Sequence, residues 1–335
     1  MAGQGLIEKA REIQTKLKAE LQESKQLGFR VEDHEQRGRY IHYLKSGSPI
    51  RQKDIFSSDG SASNEINLYI HIPFCINKCT FCRSFSVGTQ PRRTVSKYID
   101  SLKKEIEIVI RKPRFRNSAV RYIYFGGGTP TYLSAGQLGD LIGYLRSRLN
   151  VLPDANFTCE TSPEMFAGRT GRDRIKVLVE NGVNRLSIGV QSFDNKILKL
   201  IGRKHSARMA ISAFENACEA GFPNINIDLM FGLPLQTPEK WDRDLEILTN
   251  LNPGYASVYR LRLENPRLHT TFMKEPDFFP DGETVLLMNI MAVEKLNGAG
   301  YRQSEAPSTF LFPSEASYHA PYHGLCTEEL GIGTA

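Results

Sequence analysis

Apolar residues in this chain gather into short continuous runs separated by longer amphipathic stretches. The runs INLYIHI (66–72), VRYIYF (120–125), NFTCET (156–161), NRLSIGV (184–190), NINIDLMF (224–231) and YASVYRL (255–261) have the length expected of buried strands. Between them, helical patterns run over 94–110, 134–149, 171–182, 206–221 and 238–251, and a further helix is expected at 282–297. Strand and helix alternating about six times predicts parallel βα units with right-handed crossovers. The expected fold class is α/β, a partial (β/α)6 barrel that is TIM-like but open-sided; a doubly wound open sheet is the alternative. Either architecture places the ligand site at the C-terminal ends of the strands.

Ahead of these units, Leu6, Ala10, Ile13, Leu17 and Leu21 recur at helical spacing, predicting one charged amphipathic helix over 5–27 with Gly28 as its C-terminal cap. Such a helix is expected to pack on the main body. Residues 45–64 are rich in Ser, Gly and Asp and read as a linker. The expected organisation is therefore an N-terminal helix and linker (1–64), the partial barrel (65–305) and the start of a C-terminal region (306–335).

Composition narrows the partners. Apolar residues make up 40% and charged residues 24% of 335, ordinary for a globular protein with a substantial core. No stretch reaches membrane-spanning length and the N-terminus lacks an apolar signal segment, so a cytoplasmic protein without a membrane partner is expected. The balance of 43 basic and 37 acidic residues leaves a charge of +6, and no long basic run interleaves with aromatics. Nucleic acid is accordingly not an expected partner, whereas an anionic small molecule suits the charge.

The cysteines change the picture most. Three of the six, Cys75, Cys79 and Cys82, lie within eight residues, while Cys159, Cys218 and Cys326 stand alone. Bunched cysteines point to metal rather than to a disulfide framework, and lone ones to buried packing. The segment HIPFCINKCTFCRSF follows the first strand, which puts a Cys-x3-Cys-x2-Cys set in the first strand-to-helix loop. Three thiolates on a short loop suit three corners of a [4Fe–4S] cubane and leave its fourth iron open to S-adenosylmethionine (SAM). A zinc knuckle with His71 as fourth ligand is the competing reading. Further along, YFGGGTPT (124–131) ends the second strand with three glycines, which would let backbone approach a ligand. Glu160, Gln191 and Asp228 fall at or near the ends of the next three strands, where polar side chains can converge on one pocket.

With these residues assembled, the sequence resembles the oxygen-independent coproporphyrinogen III dehydrogenase-like group of the radical SAM superfamily. The resemblance is carried by LYIHIPFCINKCTFC, YFGGGTPT, NRLSIGVQSFDNKILKLIGRKH and NINIDLMFGLPLQT, from residue 66 to about 265. It implies a barrel of the radical SAM type and a cluster on Cys75, Cys79 and Cys82. It also implies SAM contacts by Tyr69, Phe81, Gly127, Gly128, Thr129, Glu160, Gln191, Arg203 and Asp228. Its implied partners are an aromatic or tetrapyrrole small molecule and a reductase or flavodoxin-type electron donor.

The group is functionally split, and this chain departs from two of its branches. The coproporphyrinogen dehydrogenases carry a further cysteine two residues after the third, where this chain has Ser84. The heme carriers have a His-Asn-x-x-Tyr run, and the stretch YHAPYHG (318–324) puts Ala320 and His323 at the Asn and Tyr positions while keeping His319. A third branch of methyltransferases and heme-opening enzymes has a phenylalanine three residues after the last cysteine, as Phe85 here, and uses two SAM molecules. Methyl transfer to an sp2 carbon is thus the expected reaction. Oxidative decarboxylation of coproporphyrinogen and noncatalytic heme binding are the alternatives, and no catalytic residue is assigned.

Overall fold

The computed structural model describes residues 2–26, 65–112, 115–263, 265–304, 308–312 and 328–334. Gly28, the 45–64 linker, His319, Ala320, His323 and Cys326 lie outside the described residues.

All six expected strands form: β1 (Glu65–Ile72), β2 (Ala119–Gly127), β3 (Asn150–Thr161), β4 (Arg185–Gln191), β5 (Asn224–Phe231) and β6 (Tyr255–Arg260). They are parallel and neighbour one another in sequence order. That order decides the architecture. A doubly wound sheet reverses direction at a switch point, whereas an unreversed order with crossovers of one hand puts every helix on one face. The sheet is the open partial barrel. Three short strands extend it: β7 (Arg302–Gln303) and β8 (Thr309–Leu311) beyond β6, and β9 (Glu328–Ile332) parallel to β1 at the other edge.

The helices are α1 (Ala2–Gln26), α2 (Arg92–Ile110), α3 (Ala135–Arg148), α4 (Gly168–Glu180), α5 (Asn195–Leu200), α6 (Ala207–Glu219), α7 (Pro238–Leu251), α8 (Pro266–Lys274) and α9 (Gly282–Gly298). Local chemistry fixes their starts. Ser134 and Gln137 form a reciprocal capping box on α3, and Asp194, Ser206, Thr237 and Asp281 accept backbone N–H groups at the starts of α5, α6, α7 and α9. α1 lies on the helical layer. Its Ile7 and Ala10 are buried in the main core, Lys9 pairs with Glu294 at 2.7 Å and Lys18 with Glu283 at 2.6 Å.

The strands have two unlike faces. On one, Ile66, Leu68, Ile70 and Ile72 of β1, Leu186 and Ile188 of β4, and Ile225, Ile227 and Leu229 of β5 join the core with the helices' apolar stripes. The alternate residues, Asn67, Tyr69, His71, Tyr124, Glu160, Arg185, Ser187, Asn226, Asp228 and Ser257, form the other, polar face. Strand periodicity of two makes the separation automatic. Cys159 belongs to the core face and is fully buried, as a packing cysteine should be; Cys218, by contrast, is exposed on α6.

Candidate active site

The cluster loop is fixed by its backbone. Cys75 N–H donates to the Val87 carbonyl at 3.0 Å and Val87 N–H to Pro73 at 2.7 Å, closing the loop's base. Gly128 N–H reaches the Ile72 carbonyl at 2.8 Å and Thr129 N–H the Phe74 carbonyl at 2.9 Å, tying it to the end of β2. On the far side, Thr80 N–H donates to Ile201 at 3.1 Å, and Asn77 Nδ2 donates to Gly202 at 2.6 Å. Asn265 Nδ2 donates to the Cys82 carbonyl at 3.0 Å. These bonds clamp the loop from three directions.

All three cysteines line one cavity at the C-terminal ends of the strands, together with Phe81, Gly128, Thr129, Glu160, Gln191, Arg203 and Asp228. Segments more than a hundred residues apart thus converge where the parallel sheet predicts. Tyr69 and Gly127 are not among the lining residues. Tyr69 stacks on Tyr124, ring centres 6.0 Å apart, and Tyr124 Oη donates to Glu160 Oε1 at 2.6 Å, so Tyr69 backs the carboxylate one layer behind the cavity.

The glycine triplet has a packing reason. A Cβ on Gly126 would fall 2.9 Å from the Tyr69 and Tyr124 rings, one on Gly127 2.7 Å from the His71 ring, and one on Gly128 2.8 Å from the Phe74 carbonyl oxygen. Gly127 also sits at φ 110°. The glycines let β2 press against β1 and the cluster loop, and Gly128 also lines the cavity, where a close ligand approach is expected of it.

The donor set fits a cubane. Burial pushes the Cys75 and Cys82 thiols up, and the neighbouring cysteines add to it, so a cationic partner is what this thiolate set needs. A zinc site would need His71, but both of its ring nitrogens are engaged: Nε2 donates to the Phe85 carbonyl at 2.9 Å and Nδ1 accepts from Tyr69 Oη at 3.1 Å. Among the described residues no three His, Cys, Asp or Glu side chains form a group for a single metal ion. Cubane corner thiolates bind three different irons and need not share a point.

Two carboxylates line the same cavity. Burial, with the Asp228 charge adding to it, pushes Glu160 up to about 7 against the donors Tyr124 Oη and Gly127 N–H and the Arg185 charge. Burial likewise raises Asp228, which Ser187 Oγ at 2.9 Å and Asn226 Nδ2 at 2.7 Å offset by donating to it. These acceptors would suit an ammonium group and ribose hydroxyls, each able to relieve the burial by donating a hydrogen.

Gln191 ends β4 at φ 73°, a conformation that a side chain other than glycine adopts only when its surroundings impose it. Asp244 on α7 ties down the two residues that follow Gln191. Its carboxylate accepts Ser192 Oγ at 2.8 Å and Phe193 N–H at 2.7 Å, and the Gln236 amide adds a contact at 3.5 Å. Burial raises Asp244 to about 7 despite these donors. Sequence reasoning missed Asp244 and Gln236. Apolar helix periodicity hides a buried aspartate, although an acid at a position of the core stripe is itself the available signal.

Arg203 bridges the halves of the site, with Nη1 3.5 Å from Cys79 Sγ and Nη2 donating to Ser162 Oγ at 2.8 Å and to the Gly189 carbonyl.

Comparison with known proteins agrees with this geometry. Residues 69–248 match the Radical SAM superfamily. The oxygen-independent coproporphyrinogen III oxidase of Pseudomonas aeruginosa is 35% identical over 264 residues, covering 78% of this chain and 56% of the relative. The heme chaperone HemW of Escherichia coli is 34% identical over 268 residues, covering 80% and 68% respectively. Among solved structures, coproporphyrinogen III oxidase (HemN) from Escherichia coli superposes with a TM-score of 0.75 at 27% identity, over 88% of this chain and 71% of that one. The chain spans about half the length of the first oxidases it matches. Open parallel sheet, three-cysteine loop and matched sequence coincide, and the chain belongs to the radical SAM superfamily.

Proposed function

We propose that this chain binds a [4Fe–4S] cluster on Cys75, Cys79 and Cys82 and acts as a radical SAM enzyme on a tetrapyrrole or related aromatic substrate. The observation that carries the reading is one cavity at the strand ends lined by all three thiols together with Glu160, Gln191 and Asp228. When bound, the cluster and SAM supply reductive cleavage to a 5′-deoxyadenosyl radical. The chain's own residues do the rest. Glu160 and Asp228 accept from the amino group and ribose, Gln191 is held toward the cavity by its backbone turn, and Arg203 fixes Cys79. Phe81, which packs on the small apolar cluster around Ile201 and Leu261, closes one wall. The tetrapyrrole class is supported by the names of the relatives, a coproporphyrinogen III oxidase and a heme chaperone.

For the reaction, we propose methyl transfer to an sp2 carbon. What supports it is local: Ser84 stands where the decarboxylating branch has a cysteine, and Phe85 is 53% exposed next to the loop. No relative named here is a methyltransferase, and the oxidase and heme-chaperone readings fit the relatives' names. Incubation with SAM, dithionite and tetrapyrroles separates them. The expected result is 5′-deoxyadenosine together with S-adenosylhomocysteine, and label from methyl-deuterated SAM in a product. Vinyl product from coproporphyrinogen III at turnover would establish decarboxylation instead, and stoichiometric heme binding without SAM cleavage would establish a carrier.

A further inference from the structure

Beside Arg203, with Ser162 and Glu164 on the wall of the same cavity, runs a chain of polar groups that neither the cluster nor the SAM contacts account for. Ser162 Oγ accepts from Arg203 and donates its one hydrogen to Glu164 Oε2 at 2.5 Å. His205 Nε2 donates to the Val190 carbonyl at 3.1 Å, and its Nδ1, buried with no hydrogen-bond partner among the described residues, stands 3.4 Å from the same Glu164 oxygen. The His205 side chain is fully enclosed, and Glu164 is 17% exposed. Three segments therefore meet on one carboxylate: the 3-10 turn Pro163–Phe166, the loop carrying Arg203 and His205, and, through Val190, the end of β4 beside Gln191. Arg203 Nε is buried without a partner among the described residues, so the guanidinium is oriented through its two terminal nitrogens.

The charges are unequal in their settling. Burial pushes Glu164 up, yet His205, the Arg203 charge and Ser162 outweigh it and hold the carboxyl at about 2. Burial and Arg203 lower His205, against Glu164 and the Val190 carbonyl. Glu164 is thus the anion of the network, one hydroxyl away from the cation that touches Cys79.

We propose that Glu164 and His205 are positioning residues for Arg203, and that Glu164 sets how much of the Arg203 positive charge is felt by a cluster on Cys75, Cys79 and Cys82. The inference rests on the cluster reading above. Its physics is the sign of Coulomb's law in a partly buried site: a cation beside the cluster favours the added electron, and an anion next to that cation offsets it. His205 flanks the carboxylate on its other side at 3.4 Å without a hydrogen bond, and its enclosed ring limits where Glu164 can move. Such outer partners of metal-site residues fix geometry as well as charge.

The test is a potentiometric titration of anaerobically reconstituted protein followed by electron paramagnetic resonance, with SAM affinity measured by equilibrium dialysis. Glu164→Gln is expected to make the cluster easier to reduce and to weaken SAM binding by about tenfold. Arg203→Gln is expected to make the cluster harder to reduce, and Glu164→Asp to return close to the parent. Opposite signs from Glu164→Gln and Arg203→Gln are what charge predicts; mere loosening moves both the same way. His205→Gln, which keeps a hydrogen-bonding group, should move the potential in the Glu164→Gln direction by a smaller amount and serves if that variant folds poorly. A parent-like potential and SAM affinity in both Glu164→Gln and His205→Gln, or shifts of the same sign in Glu164→Gln and Arg203→Gln, would overturn the proposal. A parent protein that takes up no iron and sulfide would instead overturn the cluster reading itself, which separates the two failures.

Discussion

Neighbouring residues on a single strand of this protein live in different media. On β4, Leu186 and Ile188 are fully buried among helices, while Ser187 between them faces the polar side and donates to Asp228. On β3, Cys159 packs into the core and Glu160 faces the site. The core face holds the sheet to its helices through area removed from water; the other face spends that stability on carboxylates and hydroxyls kept away from solvent. The lesson concerns division of labour. Strand periodicity lets a parallel sheet carry a hydrophobic core and a polar site on the same six segments, at the cost that buried polar residues need protein partners, on a neighbouring strand or two residues along their own.

The comparison can be broken most completely at the cysteines. Cys75→Ala, Cys79→Ala and Cys82→Ala are each expected to abolish iron and sulfide uptake. Cys159→Ala, on the core face, should keep both and lose stability only. Iron and sulfide assays of reconstituted variants decide it, and retention in any of the first three would remove that residue from the ligand set. Next in size is Leu186→Ala, expected to cost about 2–5 kcal/mol in urea unfolding because it leaves a cavity between sheet and helices. SAM-site geometry at its strand end should be little changed, so SAM binding per folded molecule should persist.

A smaller effect follows from Glu160. Its folded value is raised from 4.5 to about 7, so its contribution to stability is present in acid and is lost as the pH rises through about 7. A cationic ligand needs the ionised form, so SAM affinity should climb over the same interval. Glu160→Gln should flatten both profiles and leave affinity low throughout. Parallel profiles in parent and variant would show that another group titrates. The smallest change is Ser187→Ala, which removes one donor from Asp228 and is expected to cost about 1 kcal/mol, less than its neighbour Leu186 although both are buried. A larger loss there would mean the polar face carries more of the fold than the comparison assigns to it.

The core face was the more legible of the two in sequence. Six apolar runs announce β1 to β6, and their helices fall within a few residues of expectation because caps and periodicity coincide; α7 spans 238–251 as read. Elements without such a signal were missed. α5 is six residues long, too short for periodicity, and β9 begins with two glutamates in a segment that reads as a Gly-rich tail, yet it pairs with β1. The site was legible where residues cluster in sequence, as the cysteines do, and where strand ends carry Glu160, Gln191 and Asp228. It was illegible where a partner is distant. Asp244 holds the Gln191 turn from more than fifty residues away, and Glu164 meets His205 only because the fold brings two loops together. No spacing in the chain announces such pairs.

The central claim is that the first strand-to-helix loop and the polar face together hold a cluster and the SAM that it cleaves. One measurement tests it most directly: iron and acid-labile sulfide per chain after anaerobic reconstitution, with 5′-deoxyadenosine formation by the same sample on adding SAM and dithionite. The account predicts about four of each and SAM cleavage that vanishes with Cys79→Ala. Stoichiometric zinc without sulfide, and no 5′-deoxyadenosine, would contradict it.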